Sequence, residues 1–439
     1  MIDRVLAFFE KWLPVFAIVV FMMHYTMLKN YCDATISALK TYILLAIGVL
    51  FVINFIRSSK NEKLEWIKKK NIGIPSLLIV VLFFLIRFIT LAKCGFDNDV
   101  FREIVFEGIF LVAFSSFTIT KNTDYKLVIL VFVNICVILN VLNLISYKMA
   151  IDISYSGELY SSFGEILIQF DPIVNKGVIY TNSNTGGVLS GLALLMSLLF
   201  IKKRNKKTYI YVITIWLINI SSMYILFARS SFVAIIVSLL SIAALILIKR
   251  MNPVMLVNIC LVSCVLVAIG IFVFIQINLR DGIMLSSNED KINMVTSGRY
   301  QVWQDAAISH NGNYVLGMGS YENEIDERNA YLEKKHVEEA GNTTNFIPTI
   351  LHLHSGYFGV FYYTGIIGFV LFFLILIDKI IAAKVLKPSY NGRKEAIIFA
   401  SILIYLLMIN LVEPYFIGKR HIEFLLMILI FSFNENEKI

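Results

Sequence analysis

Runs of about twenty apolar residues, each closed by a short polar connection, recur from one end of the chain to the other. At about 1.5 Å of rise per residue such a run crosses a hydrocarbon core about 30 Å thick as an α-helix. The pattern predicts spans at 13–28, 39–56, 74–91, 103–119, 127–145, 185–201, 208–227, 231–248, 253–276, 357–377, 395–412 and 415–433. The alternation over about ten residues that marks a membrane β-barrel does not occur. The expected fold is therefore an all-α integral membrane protein of about twelve transmembrane helices, one polytopic domain over 1–439. Residues 279–355 interrupt the pattern as one large polar loop between spans nine and ten.

Composition agrees with the pattern. Hydrophobic residues make up 58% of the 439 and charged residues 16%, with a mean hydropathy of +0.75. A soluble domain carries charge on about a quarter of its residues, so that class is excluded. The net charge of +8 changes the picture only once it is sorted by side. Counting from an inside N-terminus, the alternate connections hold 23 lysines and arginines on one side against 9 on the other, the long loop set aside. Both termini are expected to be cytoplasmic and 279–355 extracytoplasmic. The densest inside marker, Lys202-Lys203-Arg204-Asn205-Lys206-Lys207, reads as an anchor to anionic headgroups rather than a nucleic-acid or nucleotide site.

No Walker loop, dinucleotide fingerprint or metal-holding acidic pair occurs in an inner connection, so ATP and nucleotide-sugars are not the expected substrates. The five cysteines show no metal-ligand spacing, and neither metal nor cofactor is expected.

Chemistry concentrates at the predicted outer boundary. Arg229, in Phe227-Ala228-Arg229-Ser230-Ser231, sits on a tight turn between spans seven and eight, on the side where positive charge is disfavoured; its planar fork suits phosphate oxygens. Residues 297–309 read as a short helix capped by Thr296 or Ser297, with Arg299 and Trp303 on one face at i,i+4. That pair allows cation–π stacking, or phosphate binding with the indole as a sugar platform. His354 precedes Ser355 at the start of span ten, where an imidazole can take a proton from a hydroxyl. Arg87 and Glu107 fall within spans three and four, and Glu413, Lys419, Arg420, His421 and Glu423 bracket the last outer turn, with Arg420 a candidate substrate-binding residue.

The order of short motifs across 180–377 resembles the O-antigen ligase and polymerase superfamily. It runs Asn182-Ser183-Asn184, Arg229-Ser230-Ser231, Gly298-Arg299 with Trp303, Gly317-Met318-Gly319, then His354-Ser355 and Gly365-Ile366-Ile367-Gly368. The resemblance implies a metal-independent, inverting glycosyltransferase of the GT-C type in the bacterial cytoplasmic membrane, acting outside it. The implied donor is an undecaprenyl-diphosphate-linked oligosaccharide and the acceptor a second glycan. Arginines matching Arg229 and Arg299 would hold the diphosphate, and a histidine matching His354 would activate the acceptor hydroxyl. A polymerase joining repeat units is the leading expectation and a ligase moving the finished glycan to lipid A core the alternative, with a flippase and a chain-length regulator as partners. Ser355 departs from the family pattern, which more often has Asn there. A transporter would show paired halves and midplane charges, and the chain shows neither by eye.

Overall fold

The structure, a computed structural model, describes residues 2–26, 28–57, 71–95, 125–148, 182–202, 205–280, 298–310, 314–340, 353–388, 392–416 and 422–432, with short pieces around 60, 69, 97–108, 179–180 and 296. Every named element among them is helical; the one β feature is an isolated bridge between Thr26 and Tyr180. The helices are α1 (Ile2–Met23), α2 (Leu28–Arg57), α3 (Ser76–Cys94), α4 (Tyr125–Lys148), α5 (Ser183–Ser197), α6 (Lys206–Ile225) and α7 (Arg229–Leu247). They continue as α8 (Pro253–Arg280), α9 (Arg299–Ser309), α10 (Tyr321–Ala340), α11 (Gly356–Ala382), α12 (Arg393–Ile409) and α13 (Ile422–Ser432).

Nine of these, α1 to α8 and α11, are long and apolar enough to cross a membrane, among the described residues. The protein is thus a multi-pass membrane protein, and the expected count of twelve meets three exceptions. Span 103–119 lies largely outside the described residues. Helix α12 is apolar but only 17 residues long, and α13 has 11. Between them Asn410 to Phe416 turns inside the protein, where Phe416 packs edge-on against Tyr357 with ring centroids 4.8 Å apart.

Helix α12 lies at the centre, packed on α5, α7 and α8, while α3 lies along α11 and α4 along α5 and α6. The core helices α5 and α12 are buried on nearly all sides, whereas α8 leaves Leu266, Val267 and Val273 exposed as a lipid-facing surface does. Close approach needs small residues: a Cβ on Gly187 would lie 2.1 Å from the Ala228 Cβ, so only glycine lets α5 meet the α6–α7 turn. Buried polar groups pair internally, as hydrocarbon requires. Asn140 of α4 donates to Asn219 Oδ1 at 2.8 Å and accepts from the Tyr180 hydroxyl at 2.7 Å and from Ser222 at 2.9 Å.

The bundle has two distinguishable ends. At the far end Asn71 and Ser76 donate to Asp378, Lys394 donates to the Ile201 carbonyl, and Arg393 donates to that of Leu245. At the opposite end, the site end, the starts of α5, α7, α9 and α11 gather with the ends of α6 and α12. The stretch 314–319 lies against α11 where that helix breaks at Gly365 (φ 65°, ψ −175°). Met318 and Gly319 donate to the Tyr362 and Tyr363 carbonyls, and Ile366 donates to Tyr314, so the loop supplies partners for backbone groups that the kink frees. Thr90 of α3 closes the same seam by donating to the Leu316 carbonyl at 2.7 Å.

Candidate active site

Two residues other than glycine have positive φ among the described residues, Phe227 at 51° and His354 at 48°. A left-handed conformation strains a bulky side chain, and such outliers cluster where function demands a fixed geometry. Each lies in a motif that the sequence singles out.

Phe227 makes the α6–α7 connection tight enough for Arg229 to donate its backbone N–H to the Phe227 carbonyl at 2.8 Å. Arg229 itself is exposed at the first position of α7. The turn rests on α5 through Ala228 and Gly187. One helical turn back on α5 lies Asn184, close enough to the Glu413 carboxyl to favour its charged form, and Asn182 caps the helix by accepting from the Asn184 N–H at 2.8 Å. Residues 184 and 187 share a face of α5, so that face joins the Arg229 turn to the Glu413 turn.

Arg299 opens α9 directly after Gly298, whose φ of 76° admits the sharp entry. The helix starts two residues later than expected and its cap position is Gly298 rather than Thr296 or Ser297, although the Thr296 hydroxyl still accepts from the Tyr300 N–H at 3.3 Å. The Arg299 guanidinium forms an ion pair with Glu413 rather than stacking on Trp303: Nη2 lies 2.9 Å from Oε1, with side-chain exposures of 15% and 4%. Nη1 reaches the Thr296 carbonyl at 3.4 Å, and among the described residues the buried Nε has no hydrogen-bond partner. Burial pushes the Glu413 carboxyl up to about 7, against the opposing pull of Arg299 and Asn184.

Trp303 lies beneath this surface, 4% exposed. Its indole N–H donates to the Leu353 carbonyl at 2.5 Å, and its ring packs on Phe358 at 4.9 Å between centroids. Leu353 and Ser355 are buried and His354 between them is half-buried. Ser355 caps α11 by accepting from the Phe358 N–H at 3.3 Å, a task a serine hydroxyl performs as well as an asparagine side chain. Gly356 then donates to the carbonyls of Asn410 at 2.8 Å and Glu413 at 2.9 Å.

These contacts close a circuit. Arg299 binds Glu413, Glu413 binds Gly356 two residues beyond His354, and Leu353 beside His354 binds Trp303, one turn from Arg299. Arg299, Trp303 and His354 are thus held by one set of contacts, with Arg229 joined to them through α5. Arg87 is buried in α3. Arg420, Lys419, His421 and Glu107 lie outside the described residues. Sequence reading left the pairing of Glu413 open and passed over Asn410, which carries no motif signal. Among the described residues no group of three His, Cys, Asp or Glu side chains has metal-binding geometry.

No curated protein and no solved structure matches the chain. A family model does, over the stretch that contains α7, α8, α9, α10, the Gly365 kink and His354. Residues 213–373 match the family described as O-antigen ligase.

Proposed function

We propose that the site end faces outside the cytoplasmic membrane and transfers a glycan from a polyprenyl diphosphate to the hydroxyl of an acceptor glycan, joining repeat units into a polysaccharide. The observation that carries this reading is the Arg299 guanidinium. Glu413 takes one corner of it, while the buried Nε has no hydrogen-bond partner among the described residues. Leaving such a donor unmet costs about 1–3 kcal/mol, and a phosphate oxygen is the acceptor that a guanidinium fork suits. The orientation is supported by the Lys202–Lys207 run, which follows α5 at the far end, where positive charge marks the cytoplasmic face.

In this reading His354 takes the proton of the acceptor hydroxyl as its oxygen attacks the anomeric carbon. The bond from that carbon to the diphosphate oxygen breaks, and Arg229 and Arg299 stabilise the charge gathering on the leaving diphosphate. A single displacement inverts the anomeric centre, and two fixed cations suit a leaving group that is already a stable anion. Trp303 keeps Leu353, and with it His354, in place. Transfer of a finished glycan to a different acceptor is the second reading, and the family match is compatible with either.

The test is a gel profile of cell polysaccharide from strains carrying His354→Ala, Arg229→Ala or Arg299→Ala at equal membrane abundance. Loss of long chains with accumulation of single lipid-linked repeats is the expected outcome. Long lipid-linked chains that never reach a final acceptor would establish the ligase instead. Native profiles from all three variants would overturn the site and return a transporter to consideration.

A further inference from the structure

Glu413 has no part in the proton or charge transfers above, yet it touches both halves of the site. Its carboxylate meets Arg299 at 2.9 Å, and its main-chain carbonyl accepts from Gly356 at 2.9 Å. The turn that carries it is tightly seated: a Cβ on Gly356 would lie 2.3 Å from the Asn410 side-chain oxygen, and Tyr415 donates its backbone N–H to that same oxygen at 3.0 Å. We propose that Glu413 is a positioning residue of the transfer site, a role that rests on the reading of Arg299 as a diphosphate ligand. Its carboxylate fixes the guanidinium, and its carbonyl fixes the chain two residues beyond His354.

The geometry explains why a carboxylate belongs beside a cation that must bind an anion. An arginine without a counter-ion has many rotamers, and its charge would draw other anions. Glu413 engages Nη2 and the Thr296 carbonyl takes Nη1, while Nε has no hydrogen-bond partner among the described residues. Because the same residue also holds Gly356, the phosphate-binding and proton-accepting groups share one anchor, and their separation is set by the turn rather than by the substrate.

The experiment uses the full chain in lipid nanodiscs and undecaprenyl diphosphate as the probe, with affinity as the readout. Positioning predicts that Glu413→Ala weakens binding about tenfold or more, while Glu413→Gln, which keeps an oxygen acceptor at the same reach, stays within about threefold of native. The Arg299→Ala/Glu413→Ala double variant should bind no more weakly than Arg299→Ala alone, because Glu413 acts through the arginine. Native affinity in Glu413→Ala, or losses that multiply in the double variant, would overturn the proposal. If Arg299→Ala itself binds normally, the diphosphate reading falls; if only Glu413→Ala does, that reading stands and the positioning role falls. Should Glu413→Ala fail to accumulate, Glu413→Asp decides. One methylene shorter, it should bind weakly if reach matters, and native affinity there would refute positioning.

Discussion

Two arginine–glutamate pairs, built from the same groups at nearly the same distance, serve different ends in this protein. Glu324 and Arg328 lie at i,i+4 on α10, 3.0 Å apart, with side-chain exposures of 2% and 1%. Arg299 and Glu413 come from segments 114 residues apart and meet at 2.9 Å, with the arginine 15% exposed. In both, burial is the main cause that pushes the carboxyl up to about 7, and the neighbouring arginine opposes it. The first pair is closed off on the apolar side of α10, beside Ile325, and serves to seat that helix. The second keeps part of its guanidinium open. A buried ion pair by itself is weak evidence for stability or for function. The greater exposure of Arg299 and the elements each pair joins are what separate these two.

The comparison breaks most visibly at the arginines. Arg299→Ala should reduce glycan transfer about 10²–10³-fold per unit of membrane protein, the range for loss of a group that stabilises transition-state charge, with any fall in abundance from the stranded Glu413 carboxylate measured separately. Arg328→Ala strands a buried carboxylate, costs about 3–5 kcal/mol and should instead lower abundance and melting temperature. A folded, inactive Arg328→Ala protein would erase the distinction. The next largest effect is expected at Gly365→Ala, where φ is 65° and the added Cβ would lie 2.2 Å from the Val315 carbonyl oxygen. Strain of at least about 1–3 kcal/mol should loosen 314–319 and α10. Thermal melting measures it, and affinity for undecaprenyl diphosphate should change less than in Arg299→Ala.

Acidity sharpens the comparison further. The Glu413 carboxyl in the folded protein lies above its ordinary value of 4.5, at about 7, so the folded state holds the proton more tightly than the unfolded chain. This group therefore favours the fold below the ordinary carboxylate range and loses that advantage as pH rises to about 7, with little further change above. Glu413→Gln should remove a slope of up to about 1.4 kcal/mol per pH unit between those limits, read from melting temperature in detergent. Glu324 keeps its own slope in that variant. The smallest effect is expected from Trp303→Phe, which keeps a ring against Phe358 but loses the donor to Leu353, at a cost of about 1 kcal/mol. Transfer should fall more than stability if Leu353 holds His354.

Much of the frame was legible in the chain because transmembrane helices declare themselves locally, by length and hydropathy. The two short elements near the C-terminus were not, since Leu411, Val412, Tyr415 and Phe416 continue an apolar run through the turn and only Glu413 and Pro414 interrupt it. Helix α10 was read merely as part of the polar loop 279–355, although Glu324 and Arg328 at i,i+4 mark it in hindsight. The motif residues Arg229, Arg299 and His354 could be picked out singly. That Arg299 would choose Glu413 over Trp303, and that Trp303 would spend its N–H on Leu353, could not be read from spacing.

The sequence by itself determined that the chain is helical and multi-pass, because each apolar run must satisfy its own backbone in lipid. It also determined which few polar side chains were candidates for chemistry. Only the tertiary structure decided which of them meet. Pairing across 114 residues depends on where α5, α9 and α11 and the turn after α12 converge, and that convergence is set by packing: glycine contacts at 187 and 356, the kink at 365, and buried groups that must each find a partner.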